Sequence, residues 1–121
     1  MLRTVDLAVM GKPKEAAQLE AKVSDAAQLL RLLANEKRLL LLCRLVVEGE
    51  VGVGALAEAL DLSQPALSQH LALLREHGVV ATRREAQAIF YRLADPKAAS
   101  VLSLLRDLYC PPDSTDTITG N

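Results

Sequence analysis

Aromatic side chains are almost missing from this 121-residue chain: Phe90, Tyr91 and Tyr109 are the whole set, with no tryptophan. Any core must therefore be aliphatic, mostly Leu, Ala and Val, a composition that suits packed helices. Cysteine is equally scarce. Cys43 and Cys110, 67 positions apart, are too few for a disulfide scaffold. No apolar run approaches the ~20 residues of a membrane span. The first residues, MLRTVDLAVMGKPKEAA, place Asp6 and then Lys and Pro where a signal peptide needs an apolar stretch, which argues against export. These absences predict a cytoplasmic protein, without membrane contact, whose thiols rest in the reduced state.

Chemistry-bearing constellations are also few. There is no Cys-x-x-Cys, no phosphate-cradling glycine loop and no Ser/His/Asp set, so enzymatic activity is not expected. The two histidines, His70 and His77, lie seven residues apart. A zinc site wants about four N/S ligands, and no Cys/His cluster with suitable spacing exists, so neither a metal nor another cofactor is expected. Neither sign of charge dominates: 14 Lys and Arg face 15 Asp and Glu, a net charge of −1. That excludes a broadly basic nucleic-acid coat. Residues 62–94 nonetheless carry Arg75, Arg83, Arg84 and Arg92 against Glu76 and Glu85, a local +2 that leaves −3 elsewhere. A local anion-facing surface is the weak implication.

Half of the residues are apolar, and their spacing is informative. The residues up to Lys14 carry no pattern and read as a flexible segment. From Glu15 to Leu33, apolar positions at Ala16, Leu19, Val23, Ala26, Ala27, Leu30 and Leu33 recur in steps of three and four, an amphipathic helix with a break expected near Ser24. Asn35 reads as an N-cap, with Glu36 in the first turn, and the second helix runs to about Val47 before Glu48-Gly49. Val53 to Leu60 forms a short third helix. After the Asp61-Leu62 turn, Ser63 caps a fourth, with Pro65 in its first turn and His77-Gly78 as its stop. The period then changes: 79–84 and 88–93 are β-prone around Glu85-Ala86-Gln87, a hairpin. Asp95 and Pro96 open a last helix that reaches Cys110 and ends at Pro111-Pro112, before a tail expected to be disordered over 111–121. The expected fold is mainly α with a β-hairpin wing: a winged helix-turn-helix over 15–110, with about five helices and the hairpin between the last two.

The fourth helix separates into two faces. Leu67, Leu71 and Leu74 point inward at spacings of four and three. Gln64, Ser68, Gln69 and His70 point outward from its N-terminal half, the part a recognition helix presents to the major groove. Glutamine can bridge adenine N6 and N7, and serine, Ser63 included, can reach bases or phosphates. Arg83 and Arg84, just before the hairpin tip, are placed to reach phosphates or a narrow minor groove. A single exposed Gln or Ser is more often plain solvated surface. The ordered set of cap, apolar triad, glycine stop and arginine-bearing hairpin is far more specific, and it points to double-stranded DNA.

Three segments, LLRLLANEKRLLLLCRL, LSQPALSQHLALLREHGVV and the wing TRREAQAIFYRL, together resemble bacterial ArsR-family repressors over roughly residues 20–110. The resemblance implies a homodimer joined through its first and last helices. It also implies an imperfect palindromic operator with half-sites about one DNA turn apart. Many such repressors sense metals, but the helix before the recognition helix, ALAEALDL, has no cysteine, and the last helix, DPKAASVLSLLRDLYC, has no histidine.

This leaves the two thiols. Cys43 sits in LLLLCRLVVEGE, among leucines and valines, and by itself reads as a small core residue. Cys110 differs, since a helix end before Pro-Pro gives packing little use for a thiol. The helix dipole disfavours a thiolate there, so any activation must come from a cation, Arg44 or Arg106. A cysteine in that second-helix segment, this wing and a cysteine closing the last helix together resemble the persulfide-sensing subgroup of the family, the BigR- and SqrR-like repressors. That resemblance implies that Cys43 and Cys110 react with persulfides to form an intrachain disulfide or polysulfide that weakens DNA binding. A direct disulfide needs Cα atoms roughly 4.4–6.8 Å apart, and a more distant pair would select a longer sulfur link. General oxidant sensing or metal sensing on the same fold remain alternatives, followed by an interaction module without DNA binding and a thiol enzyme.

Overall fold

The computed structural model describes residues 13–110. The flexible segment expected over 1–14 therefore lies outside the described residues except for Pro13 and Lys14, which already belong to a helix. The disordered tail expected over 111–121 lies outside them too. The chain divides into two compact units between Ala34 and Asn35.

The first unit holds α1 (Pro13–Ala21) and α2 (Val23–Leu33). A single helix broken near Ser24 was the expectation; the break falls at Lys22, whose N–H bonds back to Leu19 O at 2.9 Å. That break makes two full helices, so the described residues hold six rather than about five.

The second unit runs α3 (Glu36–Glu48), β1 (Glu50–Gly52), α4 (Val53–Leu60), α5 (Gln64–Glu76), β2 (Val80–Glu85), β3 (Ala88–Leu93) and α6 (Pro96–Tyr109). Its helix starts follow from side-chain caps. Asn35 Oδ1 accepts the Arg38 N–H (3.0 Å), Ser63 Oγ accepts the Ala66 N–H (3.2 Å) and Asp95 Oδ1 accepts the Lys97 N–H (2.9 Å). Each supplies an acceptor to a donor that the first turn cannot satisfy itself. Pro65 and Pro96 sit in first turns, where no backbone donor is needed. Helix ends are equally local. Gly49 (φ +86°) and Gly78 (φ +76°) follow α3 and α5 in the left-handed region that an unbranched backbone enters freely. Asp61 (φ +55°) turns the chain between the two helices of the helix-turn-helix.

The hairpin closes through a two-residue turn, Ala86-Gln87, with Glu85 opposite Ala88 and Val80 opposite Leu93. Unexpected from the sequence is β1, which pairs antiparallel with β3 (Glu50 with Arg92, Val51 with Tyr91, Gly52 with Phe90). The sheet order is β1-β3-β2. The wing is thereby fastened along β3 to the segment that leaves α3.

An aliphatic core joins these elements. Leu41, Leu42 and Leu45 of α3, Leu56 and Leu60 of α4, and Val79, Val80, Ala98 and Leu102 are buried. The triad Leu67, Leu71 and Leu74 is buried with them, as its spacing predicts. Each fully buried leucine contributes on the order of 1.5–3 kcal/mol. One polar tie reaches across helices: Lys37 Nζ donates to Leu60 O at 3.0 Å. This places an ammonium on the carbonyl end of α4, where the helix dipole favours a cation, and fixes α4 to the start of α3. No helix among the described residues is long and apolar enough to cross a membrane.

Candidate nucleic-acid interface and thiol cleft

With Leu67, Leu71 and Leu74 held inward, the opposite face of α5 is fixed. Gln64, Ser68 and Gln69 are exposed on it. Ser63 is exposed too, but its hydroxyl already accepts the Ala66 N–H as the helix cap. His70 is only half-exposed, and its pKa is lowered, first by burial and second by the nearby Arg38 cation. The neutral imidazole is therefore favoured, with one donor and one acceptor edge, over a charge that would seek phosphate.

The two wing arginines part company. Alternation along β2 puts Arg83 and Arg84 on opposite faces of the sheet. Arg83 is committed within the protein. Its Nη2 lies 2.9 Å from Glu50 Oε1 and its Nη1 3.0 Å from Glu85 Oε1, while its guanidinium carbon lies 4.9 Å from the centre of the Phe90 ring. Hydrogen bonds to both carboxylates hold its pKa above the ordinary arginine value, and the bond from Arg83 in turn lowers that of Glu50. Arg84 is exposed and enters no ion pair among the described residues.

Both cysteines are exposed, which overturns the reading of Cys43 as core. Leu41, Leu42 and Leu45 turn inward on α3, leaving Cys43 on the helix's outer side. Cys110 follows α6 directly as its C-cap, with its N–H bonded to Arg106 O at 2.7 Å. The two thiols line one cleft of about 860 Å³ between α3 and α6, walled by Leu39, Val46, Leu102 and Leu105. Of the two candidate cations, Arg106 lines this cleft and Arg44 does not; Arg44 instead pairs with Glu48 one turn on, at 2.9 Å. Glu50, which the sequence did not single out, and Arg92, noted there only for its charge, also line it. Only the pairing of β1 with β3 brings them there. Among the described residues, no three His, Cys, Asp or Glu side chains are grouped to hold a metal ion.

Comparison with known proteins agrees with this geometry. The profile of the bacterial regulatory proteins of the arsR family matches residues 35–82, from the cap of α3 into β2. The transcriptional activator HlyU of Vibrio cholerae is 46% identical over 100 residues, spanning 83% of this chain and 92% of the activator. Among solved structures, reduced HlyU from Vibrio cholerae N16961 is 47% identical with a TM-score of 0.72, covering 77% of this chain and 97% of that one. The transcriptional repressor BigR from Xylella fastidiosa is 43% identical with a TM-score of 0.72, covering 78% of this chain and 96% of that one.

Proposed function

The chain belongs to the arsR family of bacterial regulatory proteins, and from that premise we propose that it is a homodimeric, cytoplasmic repressor whose operator affinity is switched by persulfides acting on Cys43 and Cys110. It is a winged-helix transcription regulator and not an enzyme. One observation carries the switch: the chain's two cysteines, on different helices, are both exposed and line the same cleft.

The chemistry needs nothing beyond the two thiols and the reagent. One thiolate attacks the outer sulfur of an organic persulfide RSSH and displaces RS⁻, leaving Cys–S–SH. The second thiol attacks the inner sulfur of that group and expels H₂S, giving a disulfide. If both cysteines carry a sulfane sulfur, the same displacement gives a trisulfide and H₂S. Either link ties α3 to the end of α6. Gln64, Ser68 and Gln69 supply the base contacts in this reading, with Ser63, His70 and Arg84 alongside. Exposed apolar side chains support the dimer: Leu104, Leu108 and Tyr109 on α6 are 56, 63 and 80% exposed, and Leu19, Val23 and Leu30 are exposed in the first unit. A two-fold dimer of this kind reads half-sites about 34–36 Å apart.

The test exposes the reduced protein separately to an organic persulfide, hydrogen peroxide and zinc, then reads intact mass after thiol capping beside an operator titration. A Cys43–Cys110 link carrying extra sulfur, formed only with persulfide and accompanied by weaker DNA binding, is the expected result. A plain disulfide formed with peroxide moves the protein to general oxidant sensing. Two cappable thiols in every sample overturn the switch.

A further inference from the structure

Glu50 stands at two sites at once. It lines the thiol cleft at the point where α3 ends, and its carboxylate grips the wing. Register explains how. Glu50 on β1 lies opposite Arg92 on β3, which lies opposite Ala81 on β2. Alternation then puts Glu50, Phe90, Arg83 and Glu85 on one face of the three-stranded sheet. Arg83 reaches over the Phe90 ring to Glu50. Its Nε donates to both carboxylate oxygens (3.0 and 3.2 Å) and its Nη1 to Glu85 (3.0 Å). Two carboxylates and the face of the Phe90 ring surround one guanidinium, so its hydrogen-bonding edges are already directed within the protein. Planar, multidentate geometry of this kind positions more than it attracts.

We infer that Glu50 and Arg83 form a strut fixing the wing to the rim of the thiol cleft, so that Arg83 positions the wing, Arg84 meets the phosphate, and a change in the cleft is felt at the wing. Transmission to the wing rests on the dithiol reading above; the strut itself does not. Tying α3 to α6 reshapes the cleft whose wall includes Gly49 and Glu50, and the strut carries that displacement across the sheet to β2.

Three variants test it in the reduced, full-length protein: Glu50→Gln, Arg83→Gln and the two combined. The pair is solvent-exposed, so the effect is modest: each variant should weaken operator binding by about two- to five-fold. A strut makes the losses non-additive, with the double variant no worse than either single one, and leaves the salt dependence of binding unchanged. Arg83→Lys keeps the charge without the fork and should bind as poorly as Arg83→Gln. A direct phosphate contact at Arg83 predicts the reverse: Arg83→Gln flattens the salt slope by about one, Arg83→Lys restores it and Glu50→Gln tightens binding. That pattern overturns the strut, as does wild-type affinity in both single variants with unchanged melting temperatures. The second arm compares reduced and persulfide-treated protein. In Glu50→Gln the ratio of their affinities should shrink by the same two- to five-fold, and an unchanged ratio removes the transmission to the wing. If the wild type shows no ratio at all, the dithiol reading fails, while the reduced-protein cycle still decides the strut.

Discussion

Two alanine substitutions two residues apart on α5 should have opposite profiles. Leu71 is 1% exposed in a core made of aliphatic side chains, so Leu71→Ala removes three carbons' worth of contacts and leaves a cavity. Substitutions of this kind cost about 2–5 kcal/mol, a large part of the ~5–15 kcal/mol that holds a domain together. The expected drop in melting temperature is ~10 °C or more. Gln69 is exposed, and no side-chain hydrogen bond within the described residues depends on it. Glutamine and alanine are both good helix formers, so Gln69→Ala should stay within about 0.5 kcal/mol of the wild type in stability. If Gln69 reads an adenine edge, its loss costs about 1–3 kcal/mol of binding, roughly 5- to 150-fold in Kd, and relaxes preference at one base pair. Thermal melting, size-exclusion chromatography and fluorescence anisotropy with operator and scrambled duplexes separate the two cases. Wild-type operator affinity and base preference in Gln69→Ala would refute the assignment of the N-terminal half of α5 to the major groove. An unchanged melting temperature in Leu71→Ala would refute the assignment of its faces.

Three further outcomes are expected. Arg84→Ala should weaken binding to operator and scrambled DNA alike and reduce the slope of log K against log salt by about one, with the melting temperature unchanged. Lys37→Met keeps the apolar stem but deletes the donor to Leu60 O; a loss of about 1.5 kcal/mol in urea unfolding is expected, at the low end for charged donors because the site is half-buried. The third concerns pH. The pKa of His70 is held below 6.5 in the folded chain by burial and then by Arg38, so as pH falls the unfolded chain takes up this proton first. The stability linked to this histidine is present above about pH 6.5 and is lost as pH falls through the lowered value; His70→Gln should remove that part of the decline between pH 7 and 5 in melting experiments.

The helix boundaries of the second unit were legible because they are set by chemistry within a few residues. Asn35, Ser63 and Asp95 cap, Gly49 and Gly78 stop, and the Leu67/Leu71/Leu74 spacing announces which face is inside. What escaped the sequence is non-local. A strand of three residues, Glu-Val-Gly, is too short to show a period, and its existence depends on β3 arriving later in the chain to pair Val51 with Tyr91, 40 positions on. The tie from Lys37 to Leu60 O likewise spans 23 residues and leaves no pattern behind. The break in the first unit was visible as a disturbance, but not to the residue, because Lys22 carries no breaker signature.

Cys43 and Arg83 show the same physics acting on function. Local composition put Cys43 in the core, since leucine and valine surround it in the chain. On a helix, however, neighbours in sequence point in different directions, and Leu41, Leu42 and Leu45 already occupy the inward face. A thiol left outward on α3 lines the cleft that α6 faces, and Arg106 of α6 and its C-cap Cys110 line the same cleft. Arg83 shows the same non-local effect on a charged side chain. Next to Arg84 in the sequence it reads as one of a pair of phosphate contacts, yet alternation sends the two to opposite faces, and Glu50 waits on only one of them. Glu50 also borders the cleft, so one carboxylate both pairs with Arg83 of the wing and lines the wall that the two thiols share.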